Sequence, residues 1–141
     1  EAVEMTAHNA KQNGLAVEAI EADVFDFLTE LDKKKDHTYD YIVLDPPAFT
    51  KSGKTVHEAF RGYKEINYRA MKILPRGGYL ATCSCSHFMG EELFVKMVKE
   101  AARDAGVTLR QIEFRQQAPD HPILMTVPET YYLKFFLFQI V

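Results

Sequence analysis

Apolar and polar positions along this chain alternate between a three-to-four spacing and short apolar runs, which is how helices exchanging with strands read in a sequence. Val3, Ala7 and Ala10 recur at helical spacing, and Asn13-Gly14 supplies a stop. Residues 17–22 alternate apolar positions with Glu18 and Glu21, which predicts a strand ending at Asp23. Residues 25–35 predict a helix with Phe27, Leu28 and Leu31 on one face and Lys33, Lys34, Lys35 and Asp36 at its solvated end. A strand is expected over 39–44, then a polar loop over 50–56 with Gly53 and two lysines. Ala59, Tyr63, Ile66, Ala70 and Ile73 define one side of a longer helix, broken by Pro75-Arg76-Gly77-Gly78. Residues 79–83 predict the next strand. Leu93, Met97, Ala101 and Ala105 mark another helix, closed by Gly106, and 107–114 and 131–141 are the last strands.

Strands alternating with helices imply right-handed crossovers and a largely parallel sheet covered on both faces, an α/β fold. The last two strands have no helix between them, so an antiparallel hairpin at one edge of the sheet is expected.

The bulk numbers narrow the class. With 141 residues, nearly half of them apolar, the chain can bury a real core and is not disordered. No apolar run reaches membrane-spanning length. Two closely spaced cysteines do not make a secreted disulfide framework, so a reducing cytoplasm is expected. The net charge of −3 is wrong for a domain that grips a polyanion unaided. If the chain acts on nucleic acid, a local patch or another domain has to supply much of the phosphate attraction. It begins at Glu1, without an initiator Met and within a helical pattern, and is read as a piece of a longer polypeptide.

The chemistry concentrates at two strand ends. The run Tyr41-Ile42-Val43-Leu44 stops at Asp45-Pro46-Pro47, because prolines have no amide hydrogen to extend a ladder. A buried strand is thus expected to deliver one carboxylate to its carboxyl end, the edge where open α/β sheets hold ligands. The next strand ends in Cys83-Ser84-Cys85. Free cysteines are usually small buried core residues, and that is the plain alternative here. A Cys83, Cys85, His87 metal site is disfavoured, since zinc wants four ligands on loop spacing. A disulfide between residues two apart suits the bond's geometry badly. Asp23, just before a helix, reads equally as an N-cap. His121 reads as a satisfied structural histidine.

Further motifs follow in order: Asp45-Pro46-Pro47-Ala48-Phe49, Arg61-Gly62-Tyr63-Lys64-Glu65-Ile66-Asn67, Ser84-Cys85-Ser86, Asp120-His121-Pro122, and Pro128-Glu129 before Tyr132-Leu133-Lys134. On these the chain resembles the bacterial 23S rRNA cytosine-C5 methyltransferase family, within the class I S-adenosylmethionine-dependent methyltransferase fold. The resemblance implies a Rossmann-like, mostly parallel sheet with an antiparallel last strand. It also implies that the Gly-rich strand-loop unit and the acidic residue of the following strand lie before Glu1, as does an RNA-binding domain. The chain is therefore expected to be the carboxyl-terminal part of a catalytic domain, binding cofactor poorly alone.

The same resemblance implies site roles. Cys85, in the S-C-S position, would add to C6 of the base. Cys83 within Thr82-Cys83-Ser84 offers a rival register, with Cys85 favoured. Asp45 would face N3 or the exocyclic amine. Asp23, Asp45 and Pro46 would meet S-adenosylmethionine, and Pro47, Phe49, Arg61 and Lys64 the RNA. Lys51 and Lys54 flank the loop but read as ordinary solvated surface. The implied partner is 23S ribosomal RNA, with no membrane; a homodimer is compatible with it. Two other readings stay open: a guanine-N7 methyltransferase needing no cysteine, and a degenerate RNA-binding or assembly module.

Overall fold

The computed structural model describes residues 1–35, 37–49 and 55–141. Four helices, α1 (Ala2–Gln12), α2 (Val24–Lys34), α3 (Val56–Ile73) and α4 (Glu91–Ala105), combine with four strands, β1 (Tyr41–Leu44), β2 (Tyr79–Ser84), β3 (Leu109–Arg115) and β4 (Lys134–Ile140). Most of the loop expected over 50–56, including Lys51 and Lys54, lies outside the described residues. None of the described helices is long and apolar enough to cross a membrane.

The strands form one sheet in the order β1-β2-β4-β3. β1 and β2 are parallel, with Leu44 opposite Thr82, whereas β4 runs antiparallel to both β2 and β3. The sheet is therefore mixed rather than mostly parallel among the described strands. The expected antiparallel hairpin of the last two strands is present at one edge, with β3 outermost and β4 between it and β2. The reason is composition. Phe136, Phe138 and Ile140 are buried, and their alternating ridge needs a neighbour on each side, while β3 is polar enough to sit outermost.

Two further expectations are corrected. Residues 17–22 form no strand, since they find no ladder partner among the described residues, and Val17 and Ile20 are exposed. β1 is not buried on both faces. Leu44 is enclosed, but Tyr41 and Val43 are 50% and 60% exposed, because β1 sits at an open edge with one face uncovered.

The core lies between α3, α4 and one face of the sheet. Leu80, Phe136, Phe138 and Ile140 meet Tyr63, Ala70, Phe94, Met97 and Ala101 there. Tyr63 and Phe94 meet edge to face, and Phe94 stacks on Phe136. α2 packs beside α3 through Leu28 and Leu31. At the foot of α3, Gly78 is required: a Cβ there would lie 3.0 Å from the Pro75 carbonyl and 3.2 Å from that of Asp40. That close approach lets the Tyr79 amide donate to Asp40 and start the β1–β2 pairing.

Candidate active site

Four segments meet at the carboxyl end of β1 and β2. They are the amino end of α2, the Asp45–Phe49 turn, the Ser84-Cys85-Ser86 segment and the start of β4. The α2 corner is tied in by Phe25, whose ring lies 6.4 Å from that of Phe49, and by Arg69, which donates to the Phe25 carbonyl at 3.4 Å.

Asp45 is exposed, one residue beyond β1. Its charge reaches β2: together with burial, which is the larger cause, it pushes the Cys83 thiol up to about 11. Burial, then the charges of Cys85 and Asp45, raise the hydroxyl of Tyr63.

The two thiols are separated by the end of the strand. Cys83 lies inside β2 and is buried; Cys85 lies just past it and is exposed. The serines on either side of Cys85 are both buried and both held. The Ser84 hydroxyl donates to the Tyr63 hydroxyl at 3.0 Å and accepts from the Ser86 amide at 3.4 Å. The Ser86 carbonyl accepts from the Lys134 ammonium at 2.5 Å. A rigid frame thus presents one outward thiol. Alkylation with iodoacetamide at pH 8 is expected to label Cys85 and spare Cys83; peptide mass mapping that finds Cys83 labelled first would contradict this placement.

Asp23 is the N-cap of α2, its Oδ1 accepting from the amides of Phe25 at 2.9 Å and Asp26 at 3.2 Å. Phe49 is half-buried, its ring 4.6 Å from Tyr63 and against Gly62, so packing takes at least one side of it. Pro46 is half-buried and Pro47 exposed in the turn. Arg61 and Lys64 are not brought to the strand ends. They line a shallow cavity of about 430 Å³ with Glu65, Tyr68 and Asp104, where Lys64 pairs with Asp104 at 2.7 Å and Glu100 at 3.5 Å. That pairing already answers the Lys64 charge. His121 is exposed and pairs with the Tyr132 hydroxyl at 2.9 Å. Among the described residues no three His, Cys, Asp or Glu side chains gather as a metal set.

No protein-family model matches the chain. Curated relatives do. Ribosomal RNA large subunit methyltransferase I of Aeromonas salmonicida is 45% identical over 136 residues, and that of Klebsiella pneumoniae strain 342 is 41% identical over 139. The chain is a homologue of these methyltransferases. The match covers 94% and 96% of the chain and 34% of each relative, so the homologue spans about a third of their length. Two solved structures share the fold. One, described as a methyltransferase and solved with SAH, superposes with a TM-score of 0.77 at 20% identity, covering 94% of this chain and 35% of its own. The other, described as a SAM-dependent methyltransferase from Streptococcus mutans, gives 0.75 at 21%, with 92% and 33% covered. The four-stranded mixed sheet of this homologue is thus part of a SAM methyltransferase fold.

Two residues of the corner carried no assigned role in the sequence reading. Tyr63 read as one more apolar position of α3. Lys134 read as the end of a motif. A signal for Lys134 was present: it stands two residues before Phe136 and four before Phe138, in phase with the buried face of β4, where a lysine needs a reason.

Proposed function

We propose that this chain carries the reactive part of an S-adenosylmethionine-dependent methyltransferase acting on C5 of a cytosine in large-subunit ribosomal RNA, in the cytoplasm. The observation that carries the proposal is the split between the two thiols. One strand end offers a single outward thiol, Cys85, on a braced turn, and both that thiol and the exposed carboxylate of Asp45 act on Cys83 and Tyr63.

C5 of cytosine is too poor a nucleophile to take a methyl group directly. In this reading the Cys85 thiolate adds to C6, forming an S–C6 bond and leaving C5 enamine-like. The bound cofactor supplies an electrophilic sulfonium methyl group. Loss of the C5 proton then drives out the Cys85 thiolate and restores the ring. Asp45 reaches the N3 and amine edge, and the proline-stiffened turn holds that carboxylate still. Phe49 offers the flipped base the part of its ring not packed on Tyr63.

The residues present fit one side of such a cofactor. Asp23 keeps an exposed carboxylate at the corner while capping α2, suited to an adenine amino group; Asp45 and the Pro46 carbonyl add acceptors. We also propose that the chain is the carboxyl-terminal part of the catalytic domain. The open β1 edge and the one-third coverage of the relatives support this. Arg61 contributes to RNA phosphate contact in this reading, and Lys64 only if its pairing with Asp104 opens.

The test is methyl transfer by the full-length protein from labelled S-adenosylmethionine to large-subunit ribosomal RNA, followed by nucleoside mass spectrometry. 5-Methylcytidine is expected. Label on guanine N7, or none, would overturn the assignment.

A further inference from the structure

Lys134 is among the most enclosed side chains in the molecule, 1% exposed, yet it carries an ammonium group. A lone buried lysine costs several kcal/mol of desolvation, on the order of what one core residue contributes, so it persists only where something is gained. No carboxylate pairs with it among the described salt bridges. Its hydrogen bonds go to two backbone carbonyls, Ser86 at 2.5 Å and Tyr132 at 2.7 Å. Lys134 is also the register partner of Ser84. The ammonium therefore grips the residue after Cys85 and stands across the ladder from the residue before it.

We propose that Lys134 is a positioning residue for Cys85: its buried ammonium clamps the turn that presents the thiol and supplies the positive charge against which the thiolate forms. The inference rests on the reading of Cys85 as the nucleophile and goes beyond it. In the transfer cycle the sulfur is negative before it adds to C6 and again when it is expelled, and the proton of the resting thiol leaves to solvent at this exposed position. A cation fixed on the next residue's carbonyl, and interacting with the sulfur, favours the charged sulfur at both stages.

The groups that face this sulfur have opposing effects. Cys83 within β2 and Tyr63 on α3 are acids that interact with it, Asp45 on the β1 turn acts on the same two acids, and Lys134 on β4 is the cation that acts against them. Burial pulls the Lys134 ammonium down to about 8, while the Cys85 thiolate pushes it back up. Such coupling is reciprocal: whatever the thiolate does for the ammonium, the ammonium does for the thiolate.

The test follows that reciprocity in the full-length protein and needs no RNA. The rate of Cys85 alkylation is measured against pH for the parent protein, Lys134→Met and Lys134→Arg. Methionine is expected to slow the reaction roughly tenfold on the rising limb of the profile, and arginine to keep it near the parent. An unmoved profile in Lys134→Met overturns the proposal. Should Lys134→Met not fold, Cys85→Ser, at an exposed position, gives the converse measurement. Nitrogen-detected NMR of the Lys134 ammonium is expected to show it titrating at lower pH once the thiolate is gone, and no change overturns the proposal. A coupled pair in a protein that methylates without Cys85 would instead sink the nucleophile reading and leave the clamp standing.

Discussion

Alanine in place of Cys85 is expected to abolish methyl transfer, a loss on the order of 10³-fold or more in kcat, and with it any covalent RNA–protein species on a denaturing gel. The size of the loss follows from the chemistry. Without a sulfur at C6 the C5 carbon never becomes enamine-like, and among the described residues no other exposed thiol is present to take over. Folding should be nearly untouched, within about 0.5 kcal/mol, because the side chain faces solvent. Cys83→Ala is the opposing control. It removes a buried sulfur, costing about 1 kcal/mol, but should leave turnover close to normal, since a thiol pushed up to about 11 holds little thiolate at neutral pH. Steady-state kinetics with ribosomal RNA and denaturant melts separate the two effects. Turnover surviving in Cys85→Ala, or vanishing in Cys83→Ala, would reverse the assignment.

Helices α2, α3 and α4 were legible because each buries a wide face at a spacing that a sequence displays directly, whereas α1 buries Ala10 and leaves Ala7 exposed. Phe27, Leu28 and Leu31 in α2 and Ala59, Tyr63, Ile66, Ala70 and Ile73 in α3 lie inward as their spacing predicts. The strands were legible as segments, and the last two as an antiparallel pair at one edge, but the rest of their environment was not. Tyr41-Ile42-Val43-Leu44 reads as enclosed on both faces, yet pairing decides burial, and β1 has a partner on one side only. Residues 17–22 have a strand's alternation without a ladder to join. The insertion of β4 between β2 and β3 depends on which apolar ridge fits against α4, a long-range fact that no local window contains.

The site shows the same division. The places of Asp45 and Cys85 just past two strand ends were legible because prolines end one strand and a motif ends the other. The parting of Cys83 from Cys85 was not, because it turns on the strand stopping at Ser84. Lys64 carries its charge in the sequence, but its answering partners Glu100 and Asp104 lie far along the chain on α4. Alternation alone could assign Lys134 to a buried face; only the fold supplies the Ser86 and Tyr132 carbonyls that justify it.

Removing a single oxygen from Tyr63 is expected to loosen this corner without emptying the core. The side chain is fully buried and its ring meets Phe49 and Phe94 edge to face, contacts that Tyr63→Phe preserves. The hydroxyl accepts from the Ser84 hydroxyl at 3.0 Å and also from the Phe49 amide, so one oxygen joins the Asp45 turn to the Cys85 segment. Without it the buried Ser84 hydroxyl and the Phe49 amide lose their acceptor, at a cost of about 1–3 kcal/mol. The carboxylate and the thiol are then free to drift apart, and a displacement near 1 Å lowers kcat by up to roughly 10²-fold. Tyr63→Ala should cost more, about 3–5 kcal/mol, by emptying the ring's volume. The pH dependence distinguishes the hydroxyl from the ring. Burial raises the Tyr63 hydroxyl above its ordinary value, so the native state keeps the proton longer than the unfolded chain does. Its share of stability is whole below pH 10 and is lost as pH climbs through the raised value. In Tyr63→Phe that alkaline decline should be reduced, while kcat falls at neutral pH with KM for RNA little changed. A variant with parental kcat would show that the two strand ends hold their register without this oxygen.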